Sequence, residues 1–319
     1  MIRSLLVAVL ALFASTVSAQ GTYPDHPIRM VLPFSAGGGT DAVGRIVAKA
    51  LSERLKQQVI VDNRAGAGST IGTDAVAKAA PDGYTLLFAS ASHSFSPTVY
   101  PKLPYSQDDF APIAIVNITP LMLTINPAVP AKDLKSFIAL LKANPGKYTY
   151  ASSGVGTTLH IAAEHFVTAA GVNVVHVPYK GEAPAMTDLV GGQVNFMVGQ
   201  ASTAVPYVKN GRLIGIGLTT PKRMAAIPDV PTLSEAGLPG FAGYGWNAIL
   251  APKGTPRPII DKLNREINAV IASPDVQAKF AELGLDVLEP TTPESATAFI
   301  NAETAKWAPV IRAAGIKGD

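Results

Sequence analysis

Ile28-Arg29-Met30-Val31-Leu32-Pro33-Phe34-Ser35-Ala36-Gly37-Gly38-Gly39-Thr40-Asp41 is the stretch on which the reading of this chain turns. Its first five residues read as a buried strand. The apolar residues that follow, Val43, Ile46, Val47, Ala50, Leu51 and Leu55, recur at helical spacing. A Gly-rich turn between a strand and a helix leaves the first N–H groups of the helix without intrahelical acceptors. With the helix dipole behind them, those donors suit an anion. Two more loops repeat the arrangement. Ser152-Ser153-Gly154-Val155-Gly156-Thr157-Thr158 separates a short strand signal from a helical pattern through Leu159, Ala163 and Phe166. Asn63-Arg64-Ala65-Gly66-Ala67-Gly68-Ser69-Thr70 follows the apolar Val59-Ile60-Val61. Recognition of a small negatively charged molecule explains all three loops and requires no reaction.

Outward from these loops, strand and helix signals alternate, which predicts α/β architecture with mostly parallel sheets. Strands are expected at 59–61, 84–89, 113–117, 121–125, 148–151, 174–177, 195–198 and 213–219. Helices are expected at 71–79, 132–144, 157–170, 183–190, 203–210, 256–272, 274–283 and 294–314. Residues 116–126 and 241–252 read as crossings between two lobes. On that reading residues 20–120 and 247–319 form lobe one, and residues 121–246 form lobe two. Two connections permit a hinge, and the cleft between lobes becomes the ligand site.

Residues 1–19 carry a positive Arg3, an apolar run from Leu5 to Ala14 and a small-residue end at Val17-Ser18-Ala19, the pattern of a cleavable secretory signal peptide. No later stretch supplies the roughly 18 uninterrupted apolar residues that a membrane span needs. Cysteine is absent from the 319 residues, which excludes disulfides, thiolate metal sites and a lipid-anchoring cysteine. An exported chain without disulfides suits a Gram-negative periplasm. The net charge is only +3, with no run of five or six like charges, so neither nucleic acid nor a membrane surface is an expected partner.

The chain resembles the tripartite tricarboxylate transporter substrate-binding receptors, the Bug or TctC family of periplasmic solute-binding proteins. The resemblance rests on ordered segments spanning nearly all of the mature chain. They begin with Tyr23-Pro24-Asp25-His26-Pro27-Ile28-Arg29 and the Pro33-to-Asp41 loop. Val61-Asp62-Asn63-Arg64-Ala65-Gly66-Ala67-Gly68 and Ala80-Pro81-Asp82-Gly83-Tyr84-Thr85 follow. Later come Ser152-Ser153-Gly154 with Gly156, Thr157 and His160, and Val177-Pro178-Tyr179-Lys180-Gly181. Asp188-Leu189-Val190-Gly191-Gly192-Gln193-Val194 and Pro228-Asp229-Val230-Pro231-Thr232 complete the series. Where the family often has Pro, this chain has Ser35 or Ala36 in the first loop and Ala65 in the third. The resemblance implies a two-lobed, type II-like Venus-flytrap fold that closes over a small carboxylate, held largely by backbone N–H groups and ordered water. It also implies delivery of that carboxylate to the membrane permease subunits of a tripartite transporter by a monomeric receptor with no cofactor.

The ligand wall expected from lobe one is Phe34, Ala36, Gly37, Gly38, Thr40 and Asp41, with hydroxyls from Ser90 and Ser92. Either Thr40 or Asp41 can serve as N-cap, and Asp41 reads better as a cap, because its charge would repel an anion that lacks an ammonium group. Lobe two is expected to contribute Ser153, Gly156, Thr157, Thr158 and Gln200. His160 reads as a helix-packing residue, Arg64 as structural, and Lys180 as an exposed lysine. Tyr244 and Trp246 fall at the return crossing, where they either pack the hinge or cover a ligand. Three other functions compete. A nucleotide enzyme would need G-x-x-x-x-G-K-[ST] or G-x-G-x-x-G, and neither is present. A hydrolase built on Ser153 with His160 or His165 lacks the G-x-S-x-G elbow. An exported sensor of organic acids without an uptake role would share every feature of the transporter receptor. No catalytic or metal-ligating residues are expected, since H-E-x-x-H and Cys/His clusters are both missing.

Overall fold

The computed structural model describes residues 23–318, so the expected signal peptide lies outside the described residues. The strands are β1 (Ile28–Leu32), β2 (Val59–Asn63), β3 (Thr85–Ser90), β4 (Phe110–Thr119) and β5 (Leu121–Ile125). They continue with β6 (Thr149–Ser152), β7 (Val175–Pro178), β8 (Phe196–Gln200), β9 (Ile214–Leu218) and β10 (Gly245–Pro252). The α-helices are α1 (Gly39–Leu55), α2 (Thr70–Ala77), α3 (Ser92–Val99), α4 (Leu134–Ala143), α5 (Thr158–Ala170) and α6 (Glu182–Val190). After them come α7 (Ala201–Lys209), α8 (Leu233–Ala236), α9 (Arg257–Ile271), α10 (Pro274–Glu282) and α11 (Pro293–Ala313).

Ten strands form two five-stranded sheets, ordered β2-β1-β3-β10-β4 and β7-β6-β8-β5-β9. In the first sheet β10 alone runs antiparallel to its neighbours; in the second, β5 does. Both sheets are therefore mixed, with four strands running one way. The first is built from both ends of the chain and the second from its middle; the outward link is the single residue Pro120, and residues 219–244 lead back.

Residue alternation explains why both faces of the first sheet are covered. Ile28, Met30 and Leu32 point to a core shared with Val43, Val47 and Leu51 of α1 and with Ile260, Leu263 and Ile267 of α9. Val31, Leu87 and Ala89 point the other way, toward Phe95 of α3 and Ile300, Trp307 and Ile311 of α11. The second sheet has its own core, centred on Phe137, Tyr150, Phe166 and Phe196. Burying these large side chains supplies about 1.5–3 kcal/mol each, the main favourable term for either sheet.

Most expected elements form within two residues of their predicted limits, but three features differ. The second half of 241–252 is β10, buried along its whole length between β3 and β4, rather than a bare crossing. Helix α3 was not anticipated, because Ser92-His93-Ser94-Phe95-Ser96-Pro97 reads as turn chemistry. Its buried serines are satisfied by hydrogen bonds: the Ser96 hydroxyl donates to the Ser92 carbonyl at 2.9 Å and the Ser94 hydroxyl to the Ile300 carbonyl at 3.2 Å. The short α8 was likewise unexpected, although Thr232 and Glu235 form a capping box at its start.

Candidate functional site

Five strand-to-helix turns converge between the sheets: β1–α1 and β3–α3 from the first, and β6–α5, β7–α6 and β8–α7 from the second. Each leaves the carboxyl end of a strand in the parallel part of its sheet, the end at which open α/β sheets bind ligands. Together they line a tight cavity of about 30 Å³ between the sheets, at the kind of inter-domain position where small-molecule sites commonly form. The residues linking the two sheets, Thr119, Leu121, Gly245, Trp246 and Asn247, complete its wall.

Nine of the thirteen expected site residues line this cavity: Phe34, Gly38, Thr40, Asp41, Ser90, Ser92, Ser153, Thr158 and Gln200. Ala36, Gly37, Gly156 and Thr157 do not. Ala36 is exposed. Gly37 adopts φ +87°, and a Cβ there would point at Ala183 of the opposite lobe. Gly156 adopts φ +70° and packs against Val99 of α3. Thr157 is fully buried as the N-cap of α5, and its hydroxyl donates to the Gly154 carbonyl at 2.7 Å. The 152–157 loop is therefore not an open nest. Its Gly154 N–H goes to Ser152 Oγ and its Gly156 N–H to His160 Nδ1, at 3.1 and 3.0 Å. What lobe two offers instead is the first turn of α5, starting at Thr158.

Asp41 also differs from expectation. The N-cap of α1 is Gly38, with no side-chain cap. Asp41 reaches back from the first turn to accept the Gly37 N–H at 2.9 Å, and it accepts from Arg45 Nε and Asn63 Nδ2 at the same distance. Burial opposes its ionisation, but the bonds from Arg45, Gly37 and Asn63 prevail and hold the carboxyl below its usual range. Asp41 thus shapes the loop, with its charge matched by Arg45.

The lobes touch across the cavity. Gln200 Nε2 donates to Thr40 Oγ1 at 2.9 Å, the Thr158 N–H donates to Ser92 Oγ at 3.0 Å, and Tyr100 Oη donates to the Val155 carbonyl at 2.8 Å. The fourth bridge involves Glu182, which was not singled out in the sequence. Its Oε2 accepts the Gly39 N–H of lobe one at 3.1 Å, while Oε1 accepts the Gln200 N–H at 2.7 Å. Thr203 Oγ1 donates to Oε2 at 3.2 Å. Burial pushes the Glu182 carboxyl up to about 7 against these bonds, all of which favour the charged form.

Trp246 and Asn247 line the cavity almost fully buried, and Trp246 Nε1 and Asn247 Oδ1 have no protein partner. Buried polar atoms are ordinarily hydrogen-bonded, so these present one donor and one acceptor to an occupant. Tyr244 lies elsewhere, donating to Glu303 Oε1 at 3.1 Å. Arg64 pairs with Asp62 at 2.7 Å, and Lys180 is exposed and away from the cavity.

No serine–histidine pair faces the cavity. Ser153 Oγ donates to Thr157 Oγ1 at 2.9 Å, and His160 is buried in helix packing, where desolvation and the neighbouring His176 push it down to about 3. The close pair is Ser152 Oγ with His176 Nε2 at 2.6 Å, but Ser152 also takes the Gly154 N–H and so braces the loop. Among the described residues there is no cluster of three or more His, Cys, Asp or Glu able to hold a metal ion.

Two α/β lobes joined at Pro120 and through residues 219–244, with helix N-termini from both lobes at the cavity between them, define a solute-binding protein. The model of the tripartite tricarboxylate transporter family receptor (TctC) matches residues 43–316, and the chain belongs to that family, whose members are substrate-binding receptors and not enzymes. The chain is 39% identical to Protein BugT of Bordetella pertussis over 321 residues, covering 98% of each protein. The solved structure of the periplasmic binding protein BugD is similar at 38% identity with a TM-score of 0.89, covering 93% of this chain and all of that one. MatC of Rhodopseudomonas palustris, solved with bound malate, is similar at 33% identity with a TM-score of 0.87, covering 91% of this chain and all of that one.

Proposed function

We propose that the protein captures a small organic carboxylate between its lobes and delivers it to the permease subunits of a tripartite tricarboxylate transporter. On this reading residues 1–19 are removed on export and the receptor works as a monomer in the periplasm. Lobe one comprises residues 20–120 and 247–319, and lobe two residues 121–246. The observation that carries the proposal is the inter-lobe cavity lined from both sides at the N-terminal turns of α1 and α5. First-turn N–H groups have no intrahelical acceptor; Glu182 takes that of Gly39 and Ser92 that of Thr158, and the others present donors and a partial positive charge to a carboxylate. Cationic side chains are not needed: Arg45 is spent on Asp41 and Lys180 is elsewhere.

Closure follows from differential contacts. The bonds from Gln200 to Thr40 and from Thr158 to Ser92 exist only while the lobes touch. A ligand that bridges the two helix ends binds the closed form more tightly and shifts the population toward it. Malate bound to the similar MatC protein is consistent with this class of ligand. The test is a thermal-shift screen against an organic-acid panel, followed by calorimetry on the best ligand. A selective, saturable rise in melting temperature with a carboxylate is expected. Stabilisation only by uncharged or cationic solutes would overturn the reading.

A further inference from the structure

We infer that Glu182 makes this cleft selective for acids that carry one carboxylate, with a hydrogen-bond donor at the end facing the α1 terminus. The inference rests on the carboxylate-receptor reading and narrows it. Glu182 opens α6, yet its side chain does not lie along its own helix in solvent. It crosses the cavity wall and seats a carboxylate oxygen 3.1 Å from the Gly39 N–H at the start of α1. A carboxylate of the protein therefore holds the place that the exposed helix end would otherwise offer to a carboxylate of the ligand. A Cβ on Gly38 would stand 3.3 Å from the Glu182 Cβ, so there is little room for a side chain between them.

What surrounds this carboxylate fixes its consequence. Its hydrogen-bond donors are the N–H groups of Gly39 and Gln200 and the hydroxyl of Thr203, all neutral. Among the described residues no Lys, Arg or His forms an ion pair with it. From α1 the nearest charged group lining the cavity is Asp41, matched by Arg45; from α7 there is none; from its own turn Lys180 points to solvent. Gln200 adds a second acceptor, its Oε1 being buried without a partner close to Gly39. A second ligand carboxylate at this end would meet a buried negative charge and an unpaired acceptor. An amide, hydroxyl or ammonium group would meet two acceptors it can satisfy. The other end of the cavity, at Ser92, Ser153 and the first turn of α5, carries no acidic side chain and is left to take the single carboxylate. Like charges brought together without water are strongly disfavoured, and such repulsion is a usual source of specificity.

The test compares isosteric probes that differ only in this group: succinate against succinamate, and adipate against its mono-amide. Calorimetry on the full mature chain at pH 8.5 is expected to show the mono-amide of at least one pair binding ten-fold or more tighter than the diacid. At pH 6, where Glu182 carries a proton and can donate it, the preference is expected to shrink several-fold. Glu182→Gln is expected to remove the preference at both pH values, with circular dichroism checking its fold. If Glu182→Gln does not fold, the pH dependence of the wild type decides alone. Equal or tighter binding of the diacids by the wild type at pH 8.5 would overturn the inference and leave the carboxylate-receptor reading intact. Failure of every carboxylate in the panel to bind would overturn both.

Discussion

Replacing Gly156 with alanine separates closure of the lobes from folding of either one. Gly156 sits in the β6–α5 loop at φ +70°, and a Cβ there would stand 2.7 Å from Val99 Cγ1 and 3.2 Å from two other atoms of that side chain. Val99 belongs to α3 in the opposite lobe, so the collision exists only when the lobes are shut. Two costs are thereby distinguishable. The left-handed backbone costs alanine about 1–2 kcal/mol whether the protein is open or closed. Overpacking against Val99 adds about 1–3 kcal/mol to the closed form alone. Since 1.4 kcal/mol is ten-fold in an equilibrium constant, ligand affinity should fall about 5- to 150-fold. Calorimetry with the best acid from the panel measures the fall, and thermal melts of the ligand-free protein measure the backbone cost. Trimming the obstacle in Gly156→Ala/Val99→Ala should recover most of the affinity but little of the melting temperature. A single mutant with a lowered melting temperature but unchanged affinity would refute the assignment of this contact to closure.

Further outcomes follow from the same geometry. Thr40→Val removes the inter-lobe bond from Gln200, and a net loss of about 0.5–1.5 kcal/mol should weaken ligand binding roughly 2- to 10-fold in calorimetry. Asp41→Ala breaks the bonds to Gly37, Arg45 and Asn63 and should cost about 2 kcal/mol in denaturant unfolding. The folded carboxyl of Asp41 titrates below its unfolded value, so its contribution is present above the unfolded value and lost as pH falls through the folded one. Glu182 works in the opposite sense, with its folded value raised from 4.5 to about 7. Its contribution to the stability of the folded, closed arrangement is fully present below 4.5 and is lost as pH rises through about 7, by about 3 kcal/mol relative to the unfolded chain. Small-angle scattering of the ligand-free protein should therefore show a more compact molecule at pH 6 than at pH 8.5. Gly37→Val finds ordinary contact distance to Ala183 but an unfavourable φ of +87°, so it should lower the melting temperature more than it lowers affinity.

The alternation of strands and helices, the two lobes and the loops at the cleft were legible because each rests on local pattern. Apolar period and turn chemistry are properties of neighbouring residues, and Ile28–Leu32 followed by Gly37-Gly38-Gly39 is informative in isolation. What a residue's free groups do once loops meet is not local. Gly154 and Gly156 read as donors to a ligand, but their N–H groups are taken by Ser152 and His160, whose approach depends on how the loop folds back on β6 and α5. Glu182 at the first position of a helix reads as an ordinary complement to the dipole of α6. Only docking of the second lobe against Gly39 turns it into a buried carboxylate at the cleft. In the same way Trp246 and Asn247 looked like crossing residues until β10 was inserted between two strands more than a hundred residues earlier in the chain. Local pattern specified most of the elements and the kind of ligand their turns suit, because hydrogen-bonding need at a strand-to-helix turn is set within a few residues. The tertiary structure alone decided which of those donors stay available and which charge faces them, because that depends on groups supplied by the other lobe.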